Sequence, residues 1–208
     1  MNVAGFFAQV NLADLVIFAY LVGWFVLGYA QGAVRRVVGI LTVTFSFFLA
    51  AQLNVYLGPY LASHWTQFPD GYAEMIGFAT LFVAGAIAFA LIVQGTYKRV
   101  AVFAAHPIVD ELLGGVLGLI QGGLILMYVL IILDTFFLTA SSTPSSSELP
   151  LLREFWNALN TSWTGGFLHS TVIPAFIAVT GFLIPAEIRA TPAMRWMTPR
   201  SLSPIPKT

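Results

Sequence analysis

The feature that most constrains the fold of this chain is a series of four long apolar runs. They cover residues 12–33, 37–57, 75–94 and 112–138. A helix needs roughly 20 apolar residues to cross the hydrocarbon core of a bilayer, and each run meets that length. The charged side chains inside the runs are Asp14 and Asp134. We therefore expect an all-α membrane protein, with four transmembrane helices within residues 1–138 and the lipid bilayer as its main partner.

The composition supports this class and excludes others. Hydrophobic residues make up 58% of the chain and charged residues 9%, which is unlike the average soluble domain. The formal net charge is zero, so no basic face for nucleic acid is expected. The absence of cysteine excludes disulfides and thiolate metal sites. No Lys or Arg precedes the first run, which is therefore expected to be a retained helix and not a signal peptide.

The distribution of basic residues predicts the orientation. They follow the first and third runs, at Arg35, Arg36, Lys98 and Arg99. The segment between the second and third runs carries Asp70 and Glu74 but no Lys or Arg. Because basic loops stay in the cytoplasm, we expect the N-terminus outside and both basic loops inside.

After the fourth run the chain changes character. Residues 139–148 form a Ser-rich linker, which is expected on the outer side. Apolar residues then recur at spacings typical of a helix, at Leu149, Leu152, Phe155, Trp156 and Leu159. Arg153, Glu154 and Asn157 lie on the other side of that helix. This pattern predicts an amphipathic helix in the membrane interface, at the start of an interfacial or re-entrant segment over residues 149–186.

The end of that segment is the least determined part of the topology. Residues 172–186 are apolar, but the run is short and contains Pro174 and Pro185. A partly embedded segment is expected, with a fifth span as the alternative. The basic, Pro-rich tail, residues 187–208, would satisfy the charge rule better if it were cytoplasmic.

Glycines form two small-residue faces that predict close helix packing. Gly114, Gly118 and Gly122 recur every four residues on the fourth run, and Gly28 and Gly32 end the first. Small residues mark helix interfaces in membranes because they allow close backbone approach. These faces could pack within one chain, or they could join copies in a homo-oligomer or contact other membrane proteins.

Asp14 and Asp134 have two interpretations. Ionisable groups at membrane depth are costly, so they are candidates for a polar, proton or ion site. Both are also expected near the outer ends of their helices, where the cost is smaller and a structural role suffices. For Asp14 that role would be at a helix N-terminus, where a carboxylate is favourable.

Nothing in the sequence predicts enzymatic chemistry. His64, His106 and His169 are expected in loops or interfacial segments, without the spacing of a metal site. No nucleophile elbow, phosphate loop or zinc-helix motif is present in the sequence. We therefore expect a non-enzyme with no catalytic residue, no metal and no cofactor.

Several short stretches match a known family in the right order across roughly residues 12–176. They are Asp14 with Gly32, Val34 and Arg35; Val109 to Gly114 followed by Gly118 and Gly122; Leu133 with Asp134; and Ser170 with Val172, Ile173 and Pro174. Together they resemble the colicin V production (CvpA) family of small bacterial membrane proteins. The resemblance implies four spans in the bacterial inner membrane, a C-terminal segment on the outer side, and a role in toxin production or export.

The chain also departs from the family pattern. Gln31 and Gln121 stand where the family often has Arg, and Arg36 and Glu111 reverse its usual Glu and Arg. If the two cytoplasmic loops meet, Arg36 and Glu111 would form an ion pair with exchanged signs. Such a pair would fix register more than stability, because exposed pairs contribute only about 0–1 kcal/mol.

Three functions are consistent with these observations. The first is a non-enzymatic component of colicin V-like toxin production or export, or of envelope homeostasis, which acts through glycine-mediated helix association. The second is a small ion- or proton-coupled transporter or channel that uses Asp14 and Asp134. The third is an accessory subunit of a larger membrane complex, whose C-terminal aromatic segment docks onto a partner.

Overall fold

The computed structural model describes residues 12–96, 107–138, 140 and 148–184. Its elements are all helical: α1 (Leu12–Gln31), α2 (Ala33–His64), α3 (Asp70–Thr96), α4 (Pro107–Phe137), α5 (Pro150–Asn160), α6 (Trp163–Phe167) and α7 (Ile173–Thr180). A π-helical turn, Leu168–Val172, joins α6 to α7, and a 3₁₀ turn, Gly181–Leu183, follows α7. The all-α class predicted from the sequence is confirmed.

Several predicted features lie outside the described residues. They are the first eleven residues, the Lys98–Arg99 loop, His106, the tail over residues 187–208, and the Ser-rich linker apart from Ala140 and Glu148.

Five helical stretches in the described part of the chain are long and apolar enough to cross a membrane. They are Leu12–Gln31, Ala33–His64, Asp70–Val93, Ile108–Phe137 and Trp163–Leu183. Four correspond to the predicted spans, and the fifth is the C-terminal segment. Helix α2 has 32 residues and is therefore about 48 Å long, which exceeds the hydrocarbon thickness. The chain is a multi-pass membrane protein.

The basic segment after the first run is not the loop that the sequence predicted. Helix α1 ends at Gln31 and α2 begins at Ala33, so Gly32 alone separates them. Gly32 has φ 80°, and glycine adopts this conformation without the steric cost of a Cβ. Because the change of direction takes one residue, Arg35 and Arg36 belong to the first turns of α2.

The helices pack in two long pairs. Helix α2 lies along α3, α1 lies along α4, and α2 also contacts α4. Phe47 and Tyr128 stack in the centre with ring centroids 4.4 Å apart, and the Tyr128 hydroxyl donates to Thr44 Oγ1 at 3.0 Å. Phe176 of α7 packs edge-on against Tyr128 at 5.6 Å. The C-terminal segment is therefore part of the same core.

Helix α5 differs in two respects from the predicted amphipathic pattern. Leu159 is buried, and Leu152 and Trp156 pack against the core, whereas Phe155 is largely exposed. Arg153, expected on the polar face, has only 13% of its side chain exposed, because it pairs with Glu148 and lies over the Phe137 ring. The helix buries a charged pair together with its apolar face.

The two ends of the C-terminal segment contact the bundle at similar levels. At its start, backbone amides of α6 bind Asp14; at its end, Gln52 Nε2 donates to the Leu183 carbonyl at 2.9 Å. Counted along α1 and α2 from Gly32, these contacts lie about 27 Å and about 30 Å away. This geometry favours a segment that lies across the bundle over one that runs through the membrane.

Candidate functional site

The predicted glycine faces meet each other inside one chain, between α1 and α4. A Cβ added to Gly114 would lie 2.5 Å from the Gly28 carbonyl oxygen and 2.8 Å from the Gly32 carbonyl carbon. One added to Gly118 would collide with the Trp24 carbonyl oxygen, and one on Gly122 would lie 2.8 Å from the Trp24 ring. Because even one methyl group does not fit, the glycines permit direct contact of the two backbones.

The turn at Gly32 is held by a residue that sequence reasoning did not select. Asp110, in the first turn of α4, accepts a hydrogen bond from the Ala33 amide at 3.3 Å. It thereby satisfies one of the free N–H groups at the start of α2, which has no side-chain cap of its own. Its place in the family-like stretch Val109 to Gly114 was the signal that could have identified it.

Arg36 and Glu111 do not form the expected ion pair. Arg36 Nη1 donates to Gln121 Oε1 at 3.0 Å, and its guanidinium lies over the Trp24 ring, 5.1 Å from the centroid. Glu111 lies beside Tyr29 of α1. Gln121 is ten residues along α4 from Glu111, about 15 Å at 1.5 Å per residue. Arg36 lies on the buried face of α2, whereas its helical neighbour Arg35 is exposed, so Arg36 is not at the surface where two loops could meet.

Asp14 caps the start of α6, a helix far from it in the chain. Its carboxylate accepts from the Trp163 amide at 3.1 Å and the Thr164 amide at 3.0 Å, and also from the Thr164 hydroxyl at 2.9 Å. Ser162 caps the same helix locally, since its hydroxyl accepts from the Gly165 amide at 2.9 Å. A carboxylate suits the positive end of the helix dipole. Asp14 thus fixes the start of the C-terminal segment to the first turn of α1.

Asp134 is fully buried and contacts both α5 and the π-helical turn of the C-terminal segment. Trp156 Nε1 of α5 donates to Asp134 Oδ1 at 2.9 Å, and His169 Nε2 of the π-helical turn lies 2.7 Å from Oδ2. Asp134 has 0% of its surface exposed. The sequence did not predict that His169 or Trp156 binds a carboxylate, because the residues are 35 and 22 positions from Asp134.

The recorded hydrogen-bond partners of the two aspartates are different groups. Asp14 binds Trp163 and Thr164, whereas Asp134 contacts Trp156 and His169. Within the part of the chain that the structure describes, no group of three or more His, Asp or Glu side chains could hold a metal ion. His64 contacts its neighbours Tyr60 and Ser63. The arrangement is chemically a set of fixed hydrogen-bonded contacts between helices.

Comparison with known proteins identifies one match. A family model described as "Colicin V production protein" matches residues 13–181. This range extends from the first turn of α1 to the residue after α7, and it contains both aspartates and all five predicted packing glycines. No curated protein and no solved structure matches the chain.

Proposed function

Because this chain belongs to the colicin V production protein family, we propose that it is a non-enzymatic component of peptide-toxin production or export, or of envelope homeostasis, in the bacterial inner membrane. The observation that carries the proposal is that carboxylates on the membrane-spanning helices hold other elements in place. Asp14, Asp110 and Asp134 each accept hydrogen bonds from another element, so they serve to position helices. A positioning role is what a scaffold requires.

The C-terminal segment is the proposed docking element of this scaffold. It carries the exposed aromatic side chains Trp163, Phe167 and Phe182, and Phe155 of the preceding helix α5 is exposed as well. Trp163 and Phe167 stack with their rings 6.0 Å apart and nearly parallel, about half exposed. Aromatic side chains of this kind suit either the headgroup layer or a protein interface. If the protein is an accessory subunit of a larger complex, these aromatic side chains are where it would contact its partner.

Ion or proton transport through Asp14 and Asp134 has less support. Transport sites usually lie at broken helices or polar groups near the bilayer midplane. Both carboxylates here have hydrogen-bond partners within the chain, and the recorded partners of the two are different groups. A homo-oligomer is likewise not needed to explain the glycines, since α1 and α4 of one chain already occupy them.

The test is complementation of a strain that lacks this protein and carries a colicin V plasmid. Gly118→Leu should abolish toxin production, because a side chain there separates α1 from α4 at a cost of about 1–3 kcal/mol or more. Gly123→Leu is the matched control on the same helix, since a Cβ at Gly123 meets nothing within 4 Å. The readout is toxin activity at matched amounts of membrane-inserted protein.

Variants at Gly118 and at Asp134 distinguish the scaffold from the transporter. If toxin production survives Gly118→Leu at matched protein levels, glycine-mediated association is not the mechanism. If reconstituted protein conducts protons or ions and Asp134→Asn stops the current while the fold remains intact, the transporter is correct and the scaffold is wrong.

A further inference from the structure

Arg36 is a buried cation without an anionic partner among the residues that the structure describes. Only 4% of its surface is exposed, and its Nε has no hydrogen-bond acceptor. Its contacts are one amide oxygen, from Gln121, and the face of Trp24. A guanidinium has five N–H donors, so most of its donor capacity is unused. Burial of an unpaired charge is costly, and ionisable residues in membrane segments normally mark a site.

No acidic residue in the described parts of the chain compensates this charge. The chain has nine acidic residues, and all but Glu187 are described. Two of the described acidic residues have basic neighbours elsewhere: Glu148 pairs with Arg153, and Asp134 lies 2.7 Å from His169 Nε2. Residues 1–11 and 97–106 contain no Asp or Glu. The residue before Arg36 in the chain, Arg35, is a second cation.

The arginine lines a cavity of about 260 Å³ between α1, α2 and α3. Arg35, Gln31 and Thr42 also line it, and the α3 wall is apolar, formed by Ala86, Ala90 and Val93. This volume is far larger than a single water needs. Arg36 lies only one turn inside α2, about 5 Å from the helix start, so the polar end of the cavity is near the membrane boundary.

We propose that this cavity binds the phosphate of an anionic phospholipid from the leaflet on the Arg35 side. Arginine pairs with phosphate through planar, charge-assisted hydrogen bonds, and the two arginines that line the cavity, Arg35 and Arg36, would supply them. The apolar α3 wall accommodates the start of an acyl chain, whereas a free phosphate ion would leave that wall without a partner. The occupant is therefore a lipid and not a soluble anion.

The experiment is lipid retention by the whole purified protein in nanodiscs of phosphatidylcholine with a minor fraction of phosphatidylglycerol. Native mass spectrometry counts the lipids that remain on the protein. Wild-type protein should keep phosphatidylglycerol in clear excess over its share of the disc. Arg36→Gln should weaken this retention about tenfold, which corresponds to about 1.4 kcal/mol.

Two further variants separate a lost site from a lost fold. Ala90→Leu fills the cavity from α3 and leaves the arginine in place, and it should also reduce retention. Arg35→Gln removes one positive charge from the same end of the protein, but from an exposed side chain, and should have the smaller effect. If Arg35→Gln and Arg36→Gln weaken retention equally, surface charge explains the binding and the site is refuted.

The source of the phosphate is tested separately. Discs that start from phosphatidylcholine alone receive either inorganic phosphate in the buffer or a minor fraction of phosphatidylglycerol. Inorganic phosphate should not raise the melting temperature of the wild-type protein, whereas phosphatidylglycerol should. If inorganic phosphate stabilises wild-type protein and not Arg36→Gln, the site takes a free anion and the lipid assignment is wrong. An absence of any preference for the anionic lipid in wild-type protein also overturns the proposal.

Discussion

At the scale of single residues, three carboxylates each connect two elements. Asp14 binds the start of α6, Asp110 binds the start of α2, and Asp134 binds α5 and the π-helical turn. An unpaired carboxylate at these depths would be costly, so the hydrogen bonds offset its desolvation. The sequence identified Asp14 and Asp134 as unusual because they are charged within apolar runs. It did not identify their partners, since the donors are far away in the chain.

The bond between Asp134 and Trp156 can be measured with a double-mutant cycle. Trp156→Phe removes the indole N–H and Asp134→Ala removes the acceptor. We expect a coupling free energy of about 1–2 kcal/mol, because the acceptor is a carboxyl group that is fully buried. The measurement is the free energy of reversible unfolding in mixed micelles for the two single variants and the double variant.

The control is a second cycle in which Trp65 is mutated and Trp156 is left unchanged. Trp65 lies in the turn after α2 and packs against Phe68. Trp65→Phe combined with Asp134→Ala should be additive within about 0.5 kcal/mol. A coupling for Trp156 no larger than this would show that the contact contributes nothing specific to the attachment of α5.

At the scale of elements, the contact between α1 and α4 depends on the absence of side chains. Lipid gives little hydrophobic drive to helix association, so van der Waals contact between backbones must supply it. Gly28, Gly114 and Gly118 have no room for a Cβ, whereas Gly23 and Gly123 have nothing within 4 Å of theirs. Glycines on the same two helices thus differ in their importance, and spacing alone did not separate them completely.

Gly32 provides a test of the turn between α1 and α2. Gly32→Ala should lower the free energy of unfolding by about 2–3 kcal/mol. The positive φ costs about 1–2 kcal/mol for a residue with a Cβ, and displacement of Asp110 costs about one more hydrogen bond. Reversible unfolding in mixed micelles measures the effect.

Gly23→Ala in the middle of α1 is the matched control. It should be neutral or stabilising by up to about 1 kcal/mol, because alanine has the higher helix propensity and the site is open. Equal stability of Gly32→Ala and the unmodified protein would mean that the turn accommodates a side chain and that Asp110 is not needed there.

At the scale of the whole molecule, the number of membrane crossings depends on whether the C-terminal segment spans the bilayer. Trp163–Leu183 is long and apolar enough to cross the membrane. Its two ends, however, contact Asp14 and Gln52, which lie at similar distances from the Gly32 turn. We expect the segment to lie across the outer end of the bundle and to return to the same side.

Single cysteines in this cysteine-free chain test that expectation. Asn157→Cys and Phe182→Cys, both at exposed positions, should react in intact cells with a membrane-impermeant thiol reagent. Gln67→Cys, in the turn between α2 and α3, is the control for the outer side, and Arg35→Cys is the control for the inner side. Reaction of Phe182→Cys only after the cells are opened would establish a fifth crossing.

The sequence by itself determined the class of this protein. Runs of about 20 apolar residues permit only helices in a bilayer, where backbone hydrogen bonds must be satisfied locally. It also identified the glycines and the two aspartates, since small residues and charges stand out against an apolar background.

Only the tertiary structure decided which groups meet. Arg36 contacts Gln121 and not Glu111 because it lies on the face of α2 that packs into the bundle. Asp134 meets His169 because the chain returns to α4 after the fourth span. Such contacts join residues that are distant in the chain, and local patterns of hydropathy and spacing carry no information about them.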